Sequence, residues 1–63
     1  MRYIARIKDE NRTANVFYVK HDGLSSYEVV YLEDKINKGT HYFNTQVEAV
    51  QSARLYTSDG VMP

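Results

Sequence analysis

Asp22-Gly23 stands between two segments rich in β-branched and aromatic residues, Val16 to Val19 and Tyr27 to Leu32. It is a strong short-range hairpin signal. Both residues tolerate positive φ, which a two-residue hairpin loop demands if its twist is to match that of the strands it joins. The flanking segments are therefore expected to pair antiparallel. The earlier one, Asn15 to Lys20, holds the unbroken run Val16, Phe17, Tyr18, Val19 and suits a strand covered on both faces. The later one, about Ser26 to Glu33, alternates Tyr27, Val29 and Tyr31 with Glu28, Val30 and Leu32, so apolar groups fall on both of its sides.

Arg2 to Lys8 has the period-2 pattern of a further, half-buried strand, and the polar stretch Asp9 to Thr13 reads as the turn after it. Beyond Glu33 the chain is polar from Asp34 to Gly39, and Thr40 to Phe43 suits either a short fourth strand or a tight entry loop. Thr45-Gln46-Val47-Glu48 is a capping-box sequence, in which the Thr hydroxyl accepts the third-position N–H and Glu48 reaches back to the cap N–H. The helix it opens carries Val47, Ala49, Val50, Ala53 and Tyr56 within about half a turn of its wheel, with Leu55 off that stripe. Gly60 is the natural stop. The expected fold is α+β: a three- to four-stranded antiparallel meander followed by one C-terminal helix packed on one sheet face, as a single domain over residues 1–63.

The stretch Phe43-Asn44-Thr45-Gln46-Val47-Glu48-Ala49, with Ala53-Arg54, resembles the strand-to-helix junction of small β-β-β-α families. These include the three-stranded DNA-binding domains of plant transcription factors and phage integrases, and several uncharacterised bacterial small-protein families. The resemblance covers about a dozen residues and implies the architecture alone.

A chain of 63 residues has little core to draw on. Below roughly 70–80 residues a single core rarely supplies more than about 3–5 kcal/mol, and support from self-association or a partner is expected. The chain contains no cysteine, so neither disulfides nor Cys-type zinc sites provide that support. No apolar run approaches the roughly 20 residues of a membrane span, and Met1-Arg2-Tyr3-Ile4 does not begin a signal sequence. A cytoplasmic, complete small gene product is the expectation.

The net charge is zero, against the basic excess typical of phosphate-binding domains. It conceals a net +3 over residues 1–20 and a net −3 over residues 21–36. Either one end of the sheet is basic and the other acidic, or the charges interleave once the strands pair.

Residues that carry chemistry are few. His21, Asp22, Ser25 and Ser26 have the residue types of a hydrolase triad, but neighbours in a hairpin turn cannot surround a substrate. A metal site needs three converging ligands, and His21, Asp22 and His41 with Glu33 or Asp34 have no ligand spacing. Gly23, Gly39 and Gly60 are too scattered for a phosphate loop. The expectation is a protein that is not an enzyme, with no cofactor, no metal and no evident small-molecule substrate.

The sheet surface holds the unusual material, including most of the six tyrosines. With Tyr3, Ala5, Ile7, Phe17, Val19, Val30 and Leu32 toward the helix, the open face would carry Arg2, Ile4, Arg6, Val16, Tyr18, Lys20, Tyr27, Val29 and Tyr31. Eight of these, Arg2, Ile4, Arg6, Tyr18, Lys20, Tyr27, Val29 and Tyr31, form the expected partner-binding site, because Tyr and Arg combine large contact area with a polar handle. One reading is a protein partner, either a heterologous target or a second copy. Another is base stacking of single-stranded nucleic acid on Tyr18, Tyr27 and Tyr31, with Arg2, Arg6 and Lys20 on the phosphates. A third leaves the tyrosines as good strand formers with no further role. The favoured function is a small regulatory or inhibitory protein that acts sterically, of the kind encoded by phages and mobile elements. The alternative is a nucleic-acid-binding accessory protein.

Overall fold

The computed structural model describes all residues from Met1 to Pro63. Four strands, β1 (Arg2–Asp9), β2 (Arg12–His21), β3 (Leu24–Glu33) and β4 (Ile36–Phe43), form one antiparallel sheet in the order β1-β2-β3-β4, and helix α1 (Gln46–Asp59) follows. The expected meander with a C-terminal helix is the fold observed. Its fourth strand is longer than the sequence suggests. Only Asp34 and Lys35 turn, and β4 begins at Ile36 because a two-residue loop pairs Glu33 directly with Ile36.

All three strand connections are two-residue loops. Asp22 and Gly23 take φ of 52° and 78°, the positive pair that the sequence predicts. Asp34 and Lys35, at 54° and 67°, adopt the same geometry without a glycine, and Glu10 holds φ 55° in the first loop. The first and third loops lie side by side. Asp34 N–H donates to the Asn11 carbonyl at 2.9 Å, and the Asn11 side-chain amide donates to Asp34 Oδ1 at 3.2 Å. These bonds hold positive-φ residues that isolated turns would disfavour.

Thr45 caps α1, accepting the Glu48 N–H at 3.2 Å. The return arm differs from the expected box, since the Thr45 hydroxyl donates to Glu48 Oε1 at 2.9 Å. Gly60 ends the helix in the left-handed region at φ 74°, its N–H on the Tyr56 carbonyl at 2.7 Å. The last turn contains no basic residue of its own. Arg12 of β2 lies there instead, so close that a Cβ built at Gly60 would stand 2.8 Å from its Nη2, and its positive charge is favourable at the negative end of the helix dipole.

The core is Ala14, Val16, Val29 and Tyr31 of the sheet beneath Ala49, Ala53 and Tyr56 of the helix. Small residues make the close approach possible. Ala14 and Gly39 flank Tyr31 across the sheet, leaving room for its ring, which meets the Tyr56 ring edge-on at 5.0 Å between centroids. The stripe read from the sequence is buried only at Ala49, Ala53 and Tyr56, joined by Thr57, whereas Val47 is 66% exposed.

This packing reverses the expected faces of β2 and β3. Val16, Val29 and Tyr31 lie wholly buried under the helix, and Phe17, Val19, Val30 and Leu32 point away from it. The sequence pattern groups correctly the residues that share a face and assigns them to the wrong side. In β1 the alternation itself breaks. A bulge between Tyr3 and Ala5 leaves Tyr3 opposite Phe17 on the open face, and it brings Ile4 as well as Ala5 and Ile7 toward the core side.

Candidate protein-binding surface

The open face is built from residues of alternate parity on each strand. Cross-strand rows run Tyr3–Phe17–Glu28–Tyr42 and Arg6–Asn15–Val30–Thr40, and Lys8–Thr13–Leu32–Asn37 lies nearest the paired loops. Tyr3 and Tyr42, at opposite edges of the sheet, are 54% and 57% exposed, and Phe17, Val19, Val30 and Leu32 are half-buried between them. The Tyr3 and Phe17 rings meet edge to face at 5.6 Å, an arrangement that fixes both without hiding either. Tyr42 donates its hydroxyl to Glu28 Oε2 at 2.8 Å, and this bond raises the Tyr42 hydroxyl above the ordinary tyrosine value. A shallow depression of about 320 Å³ lies between Tyr3, Arg6, Phe17 and Leu32.

The eight residues expected to form one site divide into three groups. Arg2, Tyr18 and Tyr27 do come together, on the helix side of the sheet. The Arg2 guanidinium lies 5.5 Å from the Tyr18 ring centroid, and Tyr18 and Tyr27 are 5.5 Å apart at a 59° tilt. Lys20 follows Tyr18 on that side toward the exposed hairpin tip. Val29 and Tyr31 are inaccessible core residues, and Ile4 packs against that core, so these three are corrected out of the surface. Arg6 alone lies on the open face, beside Asn15.

Sequence reasoning missed Tyr3, Phe17, Val19, Val30, Leu32 and Tyr42 as surface residues. The hairpin signal at Asp22-Gly23 already places Phe17 opposite Glu28 and Val19 opposite Ser26. Those polar partners point to the solvent side, because a carboxylate is seldom left in a small core.

The remaining chemical groups are dispersed. His21 and Asp22 sit 3.3 Å apart at the hairpin tip, both more than four-fifths exposed, and the His41 ring lies 4.8 Å from that of Phe43 at a 57° tilt within β4. No group of three or more His, Asp or Glu side chains converges, and no helix is long and apolar enough to cross a membrane. Comparison with protein families, with curated proteins and with solved structures finds no match for this chain.

Proposed function

We propose that this chain is a non-catalytic protein-interaction module, a small regulator or inhibitor that acts sterically by laying its open sheet face on a partner. One observation carries the reading. Tyr3, Phe17, Val19, Val30, Leu32 and Tyr42 form a four-strand apolar and aromatic surface with nothing of the chain's own over it.

Aliphatic side chains on the two inner strands of that face favour a protein over nucleic acid. Val19, Val30 and Leu32 offer no flat stacking surface, and the Tyr3 and Phe17 rings stand at 66° to each other, so they do not form two parallel platforms for successive bases. The zero net charge agrees.

The test is capture by the tagged chain from source-cell lysate, with and without nuclease, in parallel with a Phe17→Glu variant. A protein retained by the wild type after nuclease and lost with Phe17→Glu supports the reading. Retention that vanishes with nuclease, or that weakens steeply with salt, assigns the face to nucleic acid instead.

A further inference from the structure

The open face carries Arg6 and Glu28 on either side of Phe17, and we infer that its occupant is a second copy of this chain, packed face to face about a two-fold axis beside Phe17. The inference rests on the protein-binding reading above and names the partner.

Three observations converge on it. First, the helix-side core contains seven apolar residues, of which three are alanine. A domain stabilised this thinly gains from covering its remaining apolar side chains, and a sheet that leaves such side chains bare on one face can cover them by packing on another sheet.

Second, the area suffices. Four strands at a spacing of about 4.8 Å, with roughly 26 Å of common length, present on the order of 500 Å². Two such faces bury about 1,000 Å², the lower limit for a specific interface.

Third, one pair of opposite charges stands at positions that a two-fold axis can exchange. Arg6 lies on β1 and Glu28 on β3, in adjacent rows, with Phe17 between them on β2 and paired across from Glu28. No Lys or Arg side chain lies within ion-pair distance of a carboxylate, so Arg6 and Glu28 do not satisfy each other internally, and within the chain Glu28 accepts from the Tyr42 hydroxyl. A two-fold axis beside Phe17 exchanges the two positions. It sets Arg6 of each copy against Glu28 of the other, with the Phe17 rings near the axis. Isologous contacts require this reciprocity, in which residue i meets j and j meets i.

Sedimentation of the full chain from about 1 μM to about 1 mM reads the dimer directly. The expected result is a mass rising from the 7.3 kDa of one chain toward twice that value. Arg6→Glu and Glu28→Arg, each alone, place like charges in both contacts and should weaken association at least tenfold. Mixing the two variants restores both opposite-charge contacts in a heterodimer, an outcome that no contact within one chain can produce. Circular dichroism checks that each variant is folded before mixing.

A wild type that stays at 7.3 kDa throughout overturns the inference, as does a mixture of the two variants that remains monomeric. A monomer that still captures a protein from lysate through Phe17 overturns self-association alone. Loss of that capture as well removes the protein-binding reading beneath it.

Discussion

Tyr56 donates its hydroxyl to the Leu32 backbone carbonyl at 2.8 Å, tying the last full turn of α1 to the point where β3 shifts register against β4. One turn earlier the Tyr31 hydroxyl shares a hydrogen bond with Ser52. Two buried phenols thus link helix and sheet, and no buried side-chain polar atom lacks a partner. The core consists largely of these tyrosines, with alanines beneath and above them.

Tyr56→Phe keeps the ring and removes the bond to Leu32. A net hydrogen bond contributes about 1 kcal/mol, and urea denaturation should show a loss of that size. Tyr31→Ala removes a whole buried aromatic at a cost of about 3–5 kcal/mol, comparable with the entire stability of a domain this small. That variant is expected to be unfolded by circular dichroism.

The neighbours Val29 and Val30 test the face assignment. Val29 is fully buried and Val30 half-exposed on the other side. Truncation of Val29 to Ala should cost about 2–3 kcal/mol, and truncation of Val30 about 1 kcal/mol or less. Equal losses in a denaturant titration would contradict the packing of α1 on that side.

Alkaline pH should destabilise the fold. Burial raises the Tyr31 hydroxyl above its ordinary value of 10.0, and burial followed by the nearby Glu33 carboxylate raises that of Tyr56. In the unfolded chain both ionise near the ordinary value, so above it the unfolded state releases protons that the folded state retains. The stabilisation is complete below the unfolded value and is lost as pH rises through the folded values. Ultraviolet titration of tyrosinate should show three residues ionising late, exposed Tyr42 independently of the helix signal and Tyr31 and Tyr56 together with its loss. Replacing both with Phe should remove that coupling.

The loops and caps differ in how well their residues suit them. Lys35 holds φ 67° where Asp-Gly is preferred, so Lys35→Gly relieves about 1–2 kcal/mol of left-handed strain against about 0.5–1 kcal/mol of added chain entropy, and the melting temperature should rise. Gly60→Ala does the reverse. It places a Cβ in the left-handed region 2.8 Å from Arg12 and should lower the melting temperature. Thr45→Ala removes the N-cap acceptor at a cost of about 1 kcal/mol.

Much of this architecture is legible in the short-range chemistry of the chain. Asp22-Gly23 specifies a hairpin, Thr45 and Glu48 the start of the helix and Gly60 its end, because turns and caps depend on a few adjacent residues whose φ preferences and hydrogen-bonding groups are local. The full length of β4 is harder to read. Its turn, Asp34-Lys35, lacks glycine and is held by Asn11, 23 residues away.

The identity of the open face lies beyond the sequence for a related reason. Period-2 alternation tells which residues share a side, and it does so for Val16, Tyr18, Tyr27, Val29 and Tyr31. It does not tell which side is covered when both are apolar. That was decided by the fit of Ala49 and Ala53 over Tyr31, with Ala14 and Gly39 making room beside the ring, and by the bulge near Ile4 that turned Tyr3 outward to Phe17. Close packing depends on the volumes of side chains far apart in the chain, and it emerges only when helix and sheet are in contact.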